Sequence, residues 1–283
     1  LTLIADNLVV DLSAIDAEEF PLVGDYEALD AQYEIAVDPA DLRNTLARIC
    51  PAASKKPQQP ILEGVHFQFD GERLRLDAAD GFRASTETVA ASGDKEFDIT
   101  VPMLSLALLA DLLASEVQPL TLGVNGPVKT RIGARMEMTY WESSLVDGNY
   151  PQLDEIIPDG GDTVATIDVG PLKRAVKAAM VFAAKSSDIT QYEIGNGSSS
   201  MDFVVVKAKA AEAGSGTIRV PAEIAGTGLA IALNGRYVLD LLDILGDGVA
   251  VKWSCTTSGR PLLAECEAYP SFRHVVMPMH MGE

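Results

Sequence analysis

Adjacent carboxylates are the most obvious groups in this chain that could do chemistry. Asp154-Glu155 and Glu18-Glu19 each place two acids side by side, and such pairs can act as general acid and base. The chain contains 41 acidic residues, however, so pairs of this kind are expected on an ordinary solvated surface. No P-loop, G-x-S-x-G or H-E-x-x-H motif accompanies them. An acidic-site hydrolase is therefore the least favoured of the functions considered for this chain. We predict that the chain is not an enzyme.

Histidine and cysteine are sparse. There are three of each, the histidines are far apart in the sequence, and no C-x-x-C spacing occurs. These counts argue against a zinc site and a disulfide framework, and they favour a reducing cytoplasm. We predict no metal and no cofactor.

Basic residues, by contrast, are concentrated. Eight of the 22 lysines and arginines occupy two short segments. They are Arg43, Arg48, Lys55, Lys56, Lys173, Arg174, Lys177 and Lys185. The formal net charge of −19 argues against nucleic-acid binding by a broad basic surface. A local basic lining is compatible with acids elsewhere, because exposed charges are screened over about 8 Å at physiological salt. Solvated faces of ordinary helices are the alternative explanation.

Those two segments belong to an internal repeat. Residues 38–56 resemble residues 168–186, because both begin with Asp before a Pro-containing first turn and continue with apolar residues at helical spacing. Asp38 and Asp168 lie 130 positions apart. The spacing predicts a helix at the start of each copy.

A second pair of segments repeats at nearly the same offset. Residues 98–113 and 230–245 each read as a strand that leads into an amphipathic helix. The second helices are poorer in bases, since the one near 102–114 has none and the one near 234–246 has only Arg236. We group Arg236 with the eight clustered bases.

The element order predicts the fold class. Each copy reads as a strand, a helix, several strands, and then the same series again, which predicts an α+β fold of tandem similar domains, each with two helices packed on antiparallel sheets. We expect copies at residues 33–154 and 163–283, with residues 1–24 as the C-terminal remnant of an earlier copy. A stray edge hairpin is the alternative for residues 1–24. Repeated units with matching edges close into rings, and helices lining a ring could hold a threaded polymer.

Residues 60–84 read as two strands and a sharp turn that ends the stretch. Leu74 and Leu76 alternate with polar residues, as in a half-buried strand. Asp80-Gly81 is a strong turn signal, and the turn through Arg83 is expected to be exposed. The rest of the chain must cover one face of this hairpin.

At this point the residues resemble a known family, the bacterial DNA polymerase III beta subunit, or sliding clamp. The matching segments are PILEGVHF at 60–67, LRLDAADGFRAS at 74–85, GNYPQLDEIIP at 148–158, NGRYVLDLLDIL at 234–245 and VVMPM at 275–279. The resemblance implies the DNA clamp fold, with three similar domains per chain and two chains closing a ring around duplex DNA. The eight clustered bases and Arg236 are then expected to face the DNA. It implies a cytoplasmic, nucleoid-associated processivity factor whose partners are duplex DNA, DNA polymerase III and clamp loader subunits, the proteins docking through short linear peptides.

The resemblance also implies a hydrophobic peptide-binding pocket between the second and third domains. Carried over position by position, its residues are Leu62, Ala79, Gly81, Phe82, Arg83, Ala84, Pro158, Val275, Val276, Met277, Pro278 and Met279. Methionine suits a surface that accepts several partners, because its side chain is adaptable. Ala79 and Phe82 depart from the family, which usually has Thr and His or Tyr there, so a somewhat different peptide is expected.

Two alternatives stay open. The segment at 275–279 could simply be an edge strand that packs on its own sheet. The whole protein could be a clamp-like ring or scaffold that binds peptides without encircling DNA, which the absence of bases near 102–114 motivates. A ring of two chains with three domains each, or of three chains with two domains each, would both contain six domains.

Overall fold

The computed structural model describes residues 1–19, 26–56, 59–184, 187–195, 202–210 and 214–280. The helices in these ranges are α1 (Pro39–Ile49), α2 (Met103–Leu112), α3 (Val169–Ala183) and α4 (Gly235–Leu245). The strands before α3 are β1 (Thr2–Ala5), β2 (Leu8–Asp11), β3 (Ala31–Val37), β4 (Gly64–Phe69), β5 (Arg73–Ala79), β6 (Arg83–Gly93), β7 (Phe97–Pro102), β8 (Leu120–Asn125), β9 (Arg131–Arg135), β10 (Tyr140–Ser144) and β11 (Thr163–Asp168). The later strands are β12 (Ile189–Gly195), β13 (Phe203–Ala210), β14 (Gly214–Gly226), β15 (Leu229–Asn234), β16 (Ala250–Cys255), β17 (Leu262–Cys266) and β18 (Tyr269–Val276).

The two halves of the chain have the same strand pairing. In the first half β3 pairs with β6 and β8, and in the second half β11 pairs with β14 and β16. The antiparallel series β7-β4-β5-β6 likewise corresponds to β15-β12-β13-β14. Each half ends in a three-stranded meander, β8-β9-β10 or β16-β17-β18. The structure therefore confirms the α+β class and the internal repeat of strand and helix order.

Both α1 and α3 begin directly after an aspartate, but only one of the two aspartate side chains caps its helix. Asp38 caps α1, because its side chain accepts hydrogen bonds from the amides of Ala40 and Asp41 at 2.9 and 3.0 Å. Asp168 occupies the same position before α3 but makes no such bond. Pro171 stands three residues later and has no N–H to donate, which removes one of the two usual partners of a capping side chain.

The halves join through a continuous sheet. β6 of the first half pairs with β18 of the second, from Arg83 opposite Val276 to Thr86 opposite Arg273. On the helical side, α1 packs on α2, α3 packs on α4, and α1 contacts α4 across the junction. The four helices thus form one layer that spans both halves.

The core lies between this helical layer and the sheets. In α4, apolar residues at helical spacing point inward, and Val238, Leu241 and Leu245 are buried. Trp141 and Trp253, one in each half, are also buried. Of the helices in the described ranges, none has the length and hydropathy required to span a bilayer.

Candidate functional site

A small apolar cluster lies where the two halves meet, separate from the main core. Its buried members are Leu62, Ala79, Ala84, Tyr150, Leu153, Ile157, Leu263 and Val275, with Ile61 packed against them. We call this set the junction cluster. It combines residues from both halves of the chain, because β6 and β18 are hydrogen-bonded neighbours.

The junction cluster contains part of the predicted pocket and several residues that were not predicted. Leu62, Ala79, Ala84 and Val275 are common to both sets. From residues 148–158 only Pro158 is carried over from the family, whereas that segment also supplies Tyr150, Leu153 and Ile157 to the cluster. The sequence signal for these three residues was their spacing of three and four positions in a short segment between two strands.

The turn between β5 and β6 is built by one aspartate. Asp80 Oδ1 accepts hydrogen bonds from the amides of Phe82 and Arg83 at 2.9 and 3.0 Å. Gly81 adopts a φ of 86°, a conformation that favours glycine. These bonds hold Phe82 at the tip, where its side chain is 42% exposed.

Arg83 is buried, so the expectation of an exposed turn through this residue is wrong. Its side chain is only 7% exposed. The guanidinium lies 3.1 Å from Asp80 and 2.6 Å from Asp240, and it stacks 4.5 Å above the ring of Tyr237. Arg83 therefore ties the turn to α4, and both of its charge partners come from this chain.

The chain end packs beside the same turn. Val275 and Val276 are buried within β18, while Met277 to Met279 are half-buried beyond it. The amide of Met277 donates to the carbonyl of Phe82 at 2.8 Å, and the amide of Met279 donates to that of Ala232, also at 2.8 Å. The segment at 275–279 is thus partly strand and partly an anchored extension that leaves two methionines accessible.

Buried polar groups surround the cluster. The ring of His274 accepts from or donates to Ser85 Oγ at 2.7 Å, and burial, together with the nearby charge of Arg83, lowers the pKa of His274 to about 3. The ring of His66 stacks on that of Tyr150, with centroids 4.8 Å apart. Burial raises the pKa of Tyr150, so its hydroxyl stays protonated. The His274 ring and the Tyr150 hydroxyl are therefore both uncharged near neutral pH.

The predicted DNA-facing bases fall into two groups. Arg48, Lys173 and Arg236 have carboxylate partners: Arg48 lies 2.6 Å from Glu87, Lys173 lies 2.7 Å from Asp243, and Arg236 lies 2.6 Å from Asp188. Within the described residues, the side chains of Arg43, Lys55, Arg174 and Lys177 are exposed and have no carboxylate within 4 Å. Lys56 lies beside Phe82, with its ammonium 5.1 Å from the ring centroid, and Lys185 lies outside the described residues.

A groove of about 520 Å³ opens between α1 and α4. It is lined by Asn44, Ala47, Arg48, Pro51, Lys55, Asp240, Asp243 and Ile244. Its bases, Arg48 and Lys55, come from the α1 side and its acids, Asp240 and Asp243, from α4, so the helical layer at the junction is mixed in charge. Across α2 the layer is apolar instead, with Leu104 79% and Leu108 57% exposed.

The structure places the two acid pairs in different surroundings. Asp154 lies 2.8 Å from Arg75, and this hydrogen bond lowers the pKa of Asp154. Glu18 and Glu19 belong to a single 3-10 turn, Ala17–Glu19. In the part of the chain that the structure describes, no three His, Cys, Asp or Glu side chains are grouped as metal ligands.

Comparison with known proteins identifies the two halves separately. Residues 36–152 match the family model of the DNA polymerase III beta subunit, central domain, and residues 154–280 match that of its C-terminal domain. A beta sliding clamp from Synechococcus elongatus is 28% identical over 277 residues, covering 95% of this chain and 70% of that protein. One from Bacillus subtilis is 22% identical over 272 residues, covering 95% and 69%.

Solved structures show the same fold. The DNA polymerase III beta subunit of Thermotoga maritima superposes with a TM-score of 0.86 at 21% identity, covering 99% of this chain and 74% of that one. A sliding clamp from Pseudomonas aeruginosa bound to griselimycin gives a TM-score of 0.85 at 23% identity, covering 99% and 73%.

Proposed function

The chain belongs to the DNA polymerase III beta subunit family, and on that premise we propose that it acts as a sliding clamp, a processivity factor that encircles duplex DNA. One observation carries the proposal: two halves with identical strand pairing share one helical layer. A repeated unit that presents helices on one side and continues its sheet into its neighbour can close into a ring. The helices would then face the duplex.

The unpaired bases support DNA contact by two of the four helices. Arg43 lies on α1, and Arg174 and Lys177 lie on α3. Phosphate contacts of this kind are independent of base sequence, which suits a protein that must slide. A closed ring needs little intrinsic affinity, because encirclement itself prevents dissociation.

We propose further that the junction cluster anchors short linear peptides from DNA polymerase III and the clamp loader. The half-buried Met277, Pro278 and Met279 and the exposed Phe82 form an apolar surface at its edge. Several buried neighbours already hold these residues in place, so little ordering is needed when a peptide binds.

The proposed domain arrangement extends the observed repeat. We assign residues 33–154 and 163–283 to a second and a third clamp domain, and residues 1–24 to the C-terminal end of a first. The hairpin of β1 and β2 supports this, because Ile4 and Val9 are 74% and 63% exposed on one face and Leu3 and Leu8 are 53% and 60% exposed on the other. A two-stranded hairpin is marginally stable without a covering surface. Two such three-domain chains would form a cytoplasmic homodimeric ring.

The test is retention on circular DNA. The full-length protein, loaded on nicked circular duplex and separated from free protein by gel filtration, should remain bound in high salt and should be lost after the circle is cut. Equal loss from circular and linear DNA would contradict encirclement.

The second candidate is a peptide-binding scaffold that does not encircle DNA. The apolar, base-free surface of α2 favours it, because Leu104 and Leu108 would face the duplex in a ring. Peptide binding without retention on circles would support this candidate.

A further inference from the structure

An ion pair between two helices neutralises one of the bases of the helical layer. We propose that Asp243, assisted by Asp247, withholds Lys173 from DNA and so lowers the affinity of the helical layer for duplex. This inference rests on the proposed DNA-encircling function and adds which acidic side chains set the strength of that contact.

Lys173 and its acidic partners come from neighbouring helices. Lys173 lies near the start of α3, Asp243 lies in the last turn of α4, and Asp247 follows the end of α4. The Lys173 ammonium lies 2.7 Å from Asp243 Oδ1 and 3.6 Å from Asp247 Oδ1. The hydrogen bond to Asp243 raises the pKa of Lys173, so the ammonium keeps its proton. The Lys173 side chain is only 19% exposed, whereas those of Asp243 and Asp247 are 55% and 70% exposed, so the base is more covered than the acids that hold it.

The internal repeat supplies a matched position at which the base is not paired. Asp38 and Asp168 directly precede α1 and α3, and the repeat aligns them. Arg43 follows the first aspartate at the same distance at which Lys173 follows the second, so the two bases are counterparts. The Arg43 side chain is exposed, and no carboxylate of the described ranges lies within 4 Å of it. One base of this repeat position is thus open to solvent, and the other is paired.

The acids of the two halves can be matched in the same way. The first residues of α2 and α4 lie 132 positions apart, which makes Asp111 the counterpart of Asp243. Asp247 has Ser115, which carries no charge, as its counterpart. Asp111 is exposed, and among the described residues no lysine or arginine lies within 4 Å of its carboxylate. The first half therefore contains an equivalent base and an equivalent acid that stay apart, so the pairing is a property of the second half.

A base that two carboxylates engage contributes little to phosphate binding. A phosphate must either displace the carboxylates or approach two like charges, and both lower the net gain in free energy. The affinity and its salt dependence follow the number of phosphates that the protein neutralises. Weak contact suits the proposed function, because a ring around DNA is retained without tight binding and can slide only if its phosphate contacts exchange readily.

Binding to a short linear duplex measures this contact without the contribution of encirclement. The full-length protein and its variants are titrated against fluorescein-labelled duplex at several salt concentrations, and Kd is measured by fluorescence anisotropy. Asp243→Asn should lower Kd by about two- to fivefold, as for a partly exposed ion pair. It should also steepen the slope of log K against log salt by about 0.9, the value for one additional phosphate contact. Asp247→Asn should produce a smaller change in the same direction, because its carboxylate lies farther from Lys173.

Two comparisons separate the release of Lys173 from the simple loss of a negative charge. Asp111→Asn is the matched control, because it removes an acid at the equivalent position that has no basic partner in the described part of the chain. It should leave the salt slope unchanged. Asp243→Asn combined with Lys173→Gln should return the slope to that of the unmodified protein, because the released base is then absent.

The outcomes distinguish this inference from the proposed function. Equal slopes for Asp243→Asn and Asp111→Asn would overturn the withholding of Lys173 and leave DNA binding intact. A steeper slope for Asp243→Asn that persists after Lys173→Gln would overturn it as well, because another group would then make the new contact. Failure of every protein to bind the duplex would overturn the proposed DNA contact, and this inference with it.

Discussion

Replacing Arg48 should destabilise the protein far more than its position on a helix surface suggests. The Arg48 guanidinium donates through Nε and Nη2 to the two carboxylate oxygens of Glu87, at 2.8 and 2.6 Å. It also stacks 4.4 Å above the ring of Tyr269, at the start of β18. One side chain therefore links α1, β6 and β18, across the junction of the two halves.

The expected magnitude follows from burial. The side chain of Arg48 is 14% exposed and that of Glu87 is 5% exposed. Arg48→Met keeps most of the apolar stem but leaves the Glu87 carboxylate buried without a partner, which typically costs about 3–5 kcal/mol. Because some solvent already reaches Arg48, we expect the lower end, about 3 kcal/mol. Loss of the contact with Tyr269 adds to this.

Urea unfolding followed by tryptophan fluorescence is the assay, since Trp141 and Trp253 report on the two halves separately in single-tryptophan variants. Arg48→Met with Glu87→Met should recover most of the loss, because the double variant buries no unpaired charge. Arg43→Gln is the matched control: Arg43 is exposed on the same helix, and its variant should stay within about 0.5 kcal/mol of the unmodified protein. A loss below about 1 kcal/mol for Arg48→Met, or a double variant as unstable as the sum of the singles, would refute the reasoning.

Three further predictions concern DNA, peptides and pH. Lys177→Gln should reduce the slope of log K against log salt for duplex DNA by about 0.9. The control, Lys252→Gln, lies on β16 and away from the helices, and it should leave the slope unchanged. Equal effects of the two substitutions would contradict the assigned DNA-facing side. Met277→Ala should weaken peptide binding, measured by calorimetry, by about 1–3 kcal/mol, and an unchanged affinity would count against the pocket. His274, with its pKa lowered to about 3 when folded, takes up its proton near pH 6.5 only in the unfolded chain. Stability should thus fall by up to about 1.4 kcal/mol per pH unit as the pH drops below about 6.5, and urea unfolding of His274→Gln should lack this component. Parallel pH profiles of the two proteins would contradict it.

Much of the fold is encoded in local patterns. Asp38 with the following proline predicts the start of α1, and the structure places the helix there. The repeat at 130 positions predicts two units with the same order of elements, and the strand pairing confirms it. Such features depend on hydrogen bonds and burial within about one turn or one hairpin, so the sequence displays them directly.

The candidate site is less visible in sequence, because its contacts join residues far apart in the chain. Arg83 lies in a segment whose residue types are typical of an exposed turn. Its guanidinium nevertheless pairs with Asp240, which is 157 positions away in the chain. Arg48 resembles other helical bases, yet Glu87 on a different strand pairs with its charge.

Local patterns in the sequence are enough to predict the class of the fold, the repeat and which residue types are available for DNA and peptides. Which of those charges remain free depends on the packing of distant segments. Pairing of a charge depends on whether an opposite charge lies within a few ångströms, and only packing of the two halves through β6 and β18 sets those distances. For this reason Arg48 and Lys173 are paired, whereas Arg43, Lys177 and Lys56 have no carboxylate partner in the described part of the chain.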